Sequence, residues 1–458
     1  MTGSYHITKH INVAGDTDEI SRDTLKMKVY RKRYMGKNND IYDIYRYDKN
    51  VLSFDSYNTS GLFRSLVVKN GKMLVFAPPK SMTFRSFTEK YRHDDSNLVA
   101  ENYVEGTMIN LFFNPKTDAN GKVKICETAD MITDEDNPQW TSDEEGEWEL
   151  ATRSTIGGNT SFYQDEKAPT FRKMFLEACI EAKFEFDELP RHDDNGCNYS
   201  YSFVLQHPDN RLVSVIDKPR LFLVGVYCID NKNGKVDEVS IDDVKNWKSL
   251  SETDVQYAGK YSKEWSSYDS LIEKFKNGEE SYEKVGLIIK NIGTGERCKY
   301  RNEVYEEVRF LRGNQPKFQY QYILLRGQDQ VKKFLKYYPE KRQDCERYRK
   351  MIHRYTETLY RKYCECYIKK QKPLIEFEEN YRTNMYLLHK LYLDKYRENK
   401  GHIGMPVVIK FVNSMEASHL MHVLNYNIEK RYKTIKTSET QQAIDKEESK
   451  SEKEDTGL

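Results

Sequence analysis

The spacing of apolar residues changes character at Gly313, and that change rules out one uniform architecture for the chain. Upstream, from about Leu52, apolar residues come in short runs of β type. These are Ser65–Lys69, Met73–Phe76, Met108–Phe113, Trp148–Thr152, Tyr201–Gln206, Arg211–Ile216, Leu221–Ile229 and Val285–Lys290. Most are bounded by Gly, Pro, Asn or Asp, the residues that tolerate turn geometry. Asn70-Gly71 between two such runs predicts a tight hairpin. Ala168–Phe186 and Val255–Asn277 read as helices, and a short helix is expected near Tyr30–Tyr34. Antiparallel strands with inserted helices predict an α+β domain.

Downstream, Gln328–Lys370 and Leu374–Asn399 place Tyr, Leu, Ile and Met at helical spacing, with Lys and Arg on the other faces. Gly401–Gly404 and Pro406 interrupt the pattern, and Ser414–Tyr432 resumes it with Asn413 or Ser414 as a cap. The expected layout is therefore an N-terminal extension over 1–50, an α+β domain over 51–314 and an all-helical domain over 315–435. The Lys/Glu/Ser-rich tail, 436–458, has too little apolar surface to fold. The acidic stretch 115–147 reads as a solvated surface insertion.

The net charge of +1 conceals an uneven distribution. Residues 1–314 carry 44 Lys and Arg against 52 Asp and Glu; residues 315–435 carry 25 against 13; the tail carries 4 against 7. A nearly neutral protein is thus an acidic domain, a basic helical domain and an acidic tail. The helical domain also holds 15 of the 34 tyrosines. Cations that neutralise phosphate and rings that stack on unpaired bases suit RNA, although a tyrosine-rich core under a solvated basic face gives the same composition. No run of about 18 apolar residues is present, so no transmembrane helix is expected. The start, MTGSYHITKH, lacks an apolar signal core, and eight scattered cysteines fit a reducing, intracellular setting. Cys364 and Cys366, with Cys345 and His353, lack the usual zinc-knuckle spacing, so no metal site is expected there.

The upstream domain contains an ordered series of segments with basic or turn-forming residues at their ends. LFRSLVVKNGKMLVFAPPKSM carries Arg64 and Lys80. YVEGT carries Tyr103, Glu105 and Gly106, and WELATRSTIGG carries Arg153. YSFVLQHPDNRLV places Val204 ahead of a Pro-x-Asn-Arg turn. VGLIIK begins at Val285 and ends at Lys290, and KYRNEVY supplies Lys299 and Arg301. The order resembles the covalent nucleotidyltransferase superfamily over roughly residues 60–312, above all the phage-type ATP-dependent RNA ligases and their relatives in large DNA viruses. The resemblance implies a nucleotidyltransferase domain built on antiparallel sheets, followed by a helical domain that helps choose RNA. It also implies ATP and Mg2+ as cofactors and an intracellular or virion location.

The departures from that pattern are selective. Tyr103 stands where the resemblance implies the nucleophilic lysine, while Glu105 and Gly106 keep the rest of that motif. Val204 and Val285 stand where it implies glutamates. In such a ligase a lysine amine attacks the α-phosphate of ATP, the glutamates hold ribose, metal or reacting phosphate, and the remaining cations neutralise phosphate oxygens. Valine accepts no hydrogen bond and binds no metal. Arg64, Lys80, Arg153, Lys290, Lys299 and Arg301 remain as phosphate ligands, with Glu105 and Gly106 beside them. The leading expectation is a pseudoenzyme that binds nucleotide or RNA phosphates without forming a covalent nucleotidyl bond. Two others stand beside it: an active RNA ligase using Lys290 or Lys299 as a displaced nucleophile, and an interaction protein that keeps only the fold.

Overall fold

Asn70 and Gly71 adopt the left-handed backbone their turn requires, with φ of 49° and 71°, and join the strands Leu66–Lys69 and Lys72–Phe76. The computed structural model describes residues 3–7, 27–33, 41–50, 59–116, 132–134, 137–142, 146–161, 168–262, 265–398 and 401–427, with backbone alone for 27–33, 132–134 and 137–142. The tail 436–458 and most of the acidic stretch 115–147 lie outside the described residues. The chain divides into two units, residues 1–310 and 311–458.

The first unit is α+β, with every sheet built of antiparallel pairs. Its strands are β1 Ser4–His6, β2 Met27–Arg33, β3 Ile41–Tyr47, β4 Leu66–Lys69, β5 Lys72–Phe76, β6 Leu98–Asn102, β7 Thr107–Pro115 and β8 Ile132–Asp134. They continue as β9 Asn137–Ser142, β10 Gly146–Ala151, β11 Asn198–Gln206, β12 Arg220–Asp230, β13 Lys235–Val239, β14 Gly286–Asn291 and β15 Arg297–Arg301. Eight form one sheet in the order β1-β13-β12-β11-β7-β10-β9-β8; β2-β3-β4-β5 form a second and β15-β14-β6 a third. The segment 1–50, expected as an extension, supplies three of these strands, and the helix expected near Tyr30–Tyr34 is instead strand β2 up to Arg33, paired along β3.

Helices α1 (Phe84–Lys90), α2 (Phe171–Glu181) and α3 (Tyr268–Lys276) cover sheet faces. Helix α2 starts at Thr170, whose side chain accepts the Lys173 N–H, and it lays Met174, Phe175 and Ala178 on the core formed by Trp148, Tyr201 and Phe203. Burying one such aromatic side chain contributes roughly 1.5–3 kcal/mol. Two expectations fail here for one reason. Val255–Asn277 is helical only over Tyr268–Lys276, because the backbone before it pairs with sheet edges: Gln256 with Leu221 and Leu223, Gly259 with Asn102, Tyr261 with Ala100. Arg211–Ile216 is no strand but an irregular turn, whose N–H groups go elsewhere.

Helix α4 (Glu303–Arg312) runs across the division between the units. The second unit is helical: α5 Phe318–Gly327, α6 Val331–Tyr337, α7 Arg342–Tyr363, α8 Glu379–Lys395, α9 Met405–Asn413 and a final helical stretch over 417–427. Pro406, expected to interrupt helix, instead lies in the first turn of α9, where its missing N–H leaves no intrahelical bond unmade. Tyr322, Tyr338, Tyr355 and Tyr363 are buried, so these four rings belong to the core and not to a base-stacking face. Arg347, Lys350 and Arg354 line one face of α7 beside a groove of about 630 Å³. Among the described residues no helix is long and apolar enough to cross a membrane.

Candidate phosphate-binding site

The site is one face of the three-stranded sheet. Residues directly opposite each other on antiparallel strands share a face. Glu101, Ile288 and Lys299 are aligned in this way across β6, β14 and β15, as are Val99, Lys290 and Arg297. Gly286 faces Arg301 in the same register, and its carbonyl accepts the Tyr103 N–H at 3.0 Å, which holds the residue just past β6 in line with that face. The opposite face carries Leu98, Ala100, Leu287, Ile289 and Cys298, all buried against Phe87, Ile272 and Phe275. Alternation along the strand therefore sends Arg297, Lys299 and Arg301 to one side and packs the side chains between them into the core.

Two glycines make the close approach possible. Gly106 has φ +146°, and a Cβ there would meet the Leu205 carbonyl oxygen at 2.5 Å. Gly286 has φ +135°, and its Cβ would collide with the Tyr300 carbonyl oxygen. Any other residue at either position would displace the backbone that carries Tyr103.

The Tyr103 phenol is held among cations. Its hydroxyl lies 3.3 Å from Lys299 Nζ, and its ring has Lys299 Nζ at 5.2 Å and the Arg301 guanidinium at 5.7 Å from the centroid. Burial alone would push the phenol pKa up, but Lys299 and Arg301 bring it down to about 8. Burial lowers the Lys299 amine in turn to about 8, with Arg64 and Arg297 adding to the fall and Tyr103 opposing it. Burial and Arg297 also lower Arg64, which feels Arg153, Tyr47 and Tyr103. Lys49 is lowered by desolvation and by the arginines around it, Arg153, Arg64, Arg309 and Arg46. Ser65 Oγ donates to the Thr152 carbonyl at 3.2 Å and so ties the segment of Arg64 to that of Arg153. The Arg153 guanidinium lies over the Tyr47 ring at 5.3 Å. Arg297 Nη2 donates to the Pro79 carbonyl at 2.8 Å, beside Lys80, while its Nε is buried without a partner. Arg301 has a carboxylate at hand, Glu306 at 2.6 Å.

The residues singled out in the sequence do not all converge. Arg64, Tyr103, Arg153, Lys299 and Arg301 act on one another, and Lys80 lies at the edge of the group through Pro79. Lys290, one of the two lysines considered as a displaced nucleophile, shares the sheet face but is ion-paired with Glu238 and lies near Glu101. Glu105 also turns out to be a latch. Its carboxylate accepts the N–H groups of Val213 and Ser214 at 3.0 and 3.2 Å and the Ser214 hydroxyl at 3.2 Å, and it is hydrogen-bonded to Tyr305. These are the N–H groups that the expected strand over 211–216 would have placed in a ladder. Val204 and Val285 are buried, at 7% and 6% exposure, and Val204 fills the space against Gly106. Glu283 does not supply the carboxylate that the resemblance implies at Val285: its side chain is exposed, its N–H donates to Ser281 Oγ at 3.2 Å and its carbonyl accepts from Ser214 Oγ at 2.8 Å. Arg297 and Glu101 were missed, although the alternation Arg297, Lys299, Arg301 was legible as a strand face.

Mg2+ needs several oxygen ligands. The two valines offer none, Glu105 is occupied by backbone donors, and Glu101 and Glu238 surround Lys290. These side chains do not fit a protein-held Mg2+. They do fit phosphate oxygens, which gain most from converging guanidinium and ammonium groups in a partly desolvated place.

No protein-family model matches the sequence, and no curated protein does. The fold is similar to solved structures of ligases at low identity. A chain of Aquifex aeolicus ascribed to an ATP-dependent DNA ligase aligns at 10% identity and a TM-score of 0.35, over 92% of this chain and 79% of that one. Two forms of an archaeal ATP-dependent RNA ligase align at 11% and 12% identity with TM-scores of 0.33 and 0.34. They cover 64% and 72% of this chain and 62% and 74% of their own.

Proposed function

We propose that the basic face around Tyr103 binds the phosphate groups of a nucleotide such as ATP, or of RNA, without covalent nucleotidyl transfer. One observation carries this reading: Lys299 and Arg301 converge on a phenol, with Arg64 and Arg297 beside Lys299, and the two positions that would supply metal-binding carboxylates are buried valines. Grouping like charges costs free energy in a protein without ligand, and a polyanion relieves it. The basic face of α7 would add a second set of phosphate contacts for RNA.

A second reading has its own observation. The Lys299 amine, brought down to about 8 and 3.3 Å from the Tyr103 hydroxyl, is the kind of amine that attacks an α-phosphorus. Such a step would form an N–P bond, break the bond to the β-phosphate oxygen and release pyrophosphate, with the amine proton passing to solvent. The lead reading is preferred because, among the described residues, the carboxylates near the site are already engaged: Glu105 by the Val213 and Ser214 N–H groups, Glu238 by Lys290 and Glu306 by Arg301 and Arg309. Incubation with α-labelled ATP and Mg2+, followed by denaturing electrophoresis, separates the two. The expected result is no label on the chain. An acid-labile label lost in Lys299→Ala would establish the second reading instead. If neither ATP nor RNA binds at low salt, the third reading, an intracellular or virion interaction protein retaining only the fold, replaces both.

A further inference from the structure

We infer that Asp193, Cys197 and Cys228 form a binding site for a thiophilic divalent metal ion, zinc(II) by the chemistry of the donors. The inference is independent of the phosphate site. Cys197 immediately precedes β11 and Val204 lies seven residues later on the same extended run, which puts them about 23 Å apart at the rise of a β-strand.

The three donors come from two stretches of chain, a hairpin and strand β12, that backbone bonds hold in place. Residues 191–199 form a hairpin: Asp193 N–H donates to the Cys197 carbonyl at 3.0 Å, Gly196 N–H to the Asp193 carbonyl at 3.0 Å, and Tyr199 N–H to the Arg191 carbonyl at 3.0 Å. Asp193 Oδ1 accepts the N–H groups of Asn195 at 3.0 Å and Cys197 at 2.8 Å, which fixes the carboxylate, and Oδ2 accepts the Asn195 side-chain amide at 3.4 Å. Cys228 arrives from β12, where it is opposite Tyr199. Its Sγ lies 3.5 Å from Asp193 Oδ2, and the donor atoms of all three residues lie within 4.8 Å of one another.

Those separations match tetrahedral zinc. Bonds of about 2.3 Å to sulfur and 2.0–2.2 Å to carboxylate oxygen give ligand-to-ligand edges of roughly 3.6–3.8 Å. Two sulfurs and one carboxylate favour zinc over Mg2+ or Ca2+, which take oxygen donors. Each donor is half-buried, so three protein ligands leave a fourth position for water. The ion would tie the hairpin to β12 at the end of the large sheet remote from Tyr103. The sequence gives little sign of this: Asp-x-x-x-Cys has no knuckle spacing, and Cys228 is 31 residues beyond Cys197. Cys364 and Cys366, which do form a Cys-x-Cys pair, make no three-ligand group among the described residues.

Cobalt(II) added to the full-length, reduced protein tests the site. Thiolate-to-cobalt charge-transfer absorption and tetrahedral ligand-field bands should saturate at one ion per chain and bleach on adding zinc(II). Cys197→Ser and Cys228→Ser should abolish the bands, whereas the double variant Cys364→Ser/Cys366→Ser should keep them. Asp193→Asn retains the turn's hydrogen-bond acceptor and should bind cobalt at least about tenfold more weakly, since even outer-shell losses cost that much. This variant serves if either serine variant fails to fold. Absence of the bands in protein whose thiols titrate as free, or bands that persist in Cys197→Ser, would overturn the site. So would a Cys197–Cys228 disulfide in protein isolated from a reducing cell.

Discussion

Lys299 Nζ lies 3.3 Å from the Tyr103 hydroxyl; the ammonium draws the phenol down to about 8, while burial brings the amine down to about 8 against the opposing pull of the phenol. The pair behaves as one unit that gives up a single proton near pH 8, whichever group supplies it. Below that pH the unit is cationic: neutral phenol beside ammonium. Above it the unit is neutral overall. Phosphate affinity should therefore be full at pH 7 and fall as pH rises through about 8, with Tyr103→Phe leaving only the Lys299 component. Fluorescence titration with a labelled nucleotide at a series of pH values checks this. An affinity independent of pH between 7 and 9 would separate the pair from the binding site.

The cation cluster should be visible in salt dependence. Lys299→Ala combined with Arg301→Ala removes two phosphate ligands. It should weaken RNA or nucleotide binding on the order of tenfold or more and reduce the slope of log affinity against log salt by about 2. Circular dichroism should remain that of the wild type. Unchanged affinity in the folded double variant would mean that phosphates bind elsewhere.

Glu105 distinguishes a latch from a catalytic carboxylate. Its charge accepts three donors from Val213 and Ser214, and Glu105→Gln keeps the shape while removing the charge. Charge-assisted hydrogen bonds are worth about 1.5–3 kcal/mol, so the variant should lose about that much unfolding free energy in a denaturant titration. Nucleotide affinity of the folded variant should stay within about twofold. A variant of unaltered stability and lost binding would reverse the assignment.

The groups whose absence the proposed function invokes can be introduced. Tyr103→Lys alone should acquire no covalent label from α-labelled ATP and Mg2+, because Val204 and Val285 still withhold the carboxylates. Tyr103→Lys with Val204→Glu and Val285→Glu should acquire one, provided thermal melting shows the triple variant folded. Labelling of the single variant would show that the valines are not what prevents chemistry.

The sequence was most informative where local and tertiary preferences agree. The Asn70-Gly71 turn and the strands around Trp148, Phe203 and Leu287 follow from alternation and turn chemistry. It misled where a distant partner claimed the backbone. Residues 211–216 have the composition of a strand, but the N–H groups of Val213 and Ser214 bind the Glu105 carboxylate, over 100 residues earlier. Residues 255–261 have helical spacing, yet they pair with β12 and β6. The site was legible as a set of cations but not as a grouping. Lys290 and Lys299 look equivalent in sequence, and only the position of Glu238 on β13 separates an anchored lysine from one facing the phenol.

The clustering of Arg64, Arg297 and Lys299 also bears on how this protein exists outside a test tube. Three cations in one partly buried place repel one another, and an anion that enters removes that repulsion as it binds. In a cell full of nucleotides and RNA the face around Tyr103 would be occupied most of the time, and the folded state would draw part of its stability from whatever occupies it. Protein purified at low salt should then carry nucleic acid with it, seen as excess absorbance at the short-wavelength side of the protein band. Stripping that passenger should lower the melting temperature, and inorganic polyphosphate should restore it. On the proposed reading, the anion would act as a component of the fold.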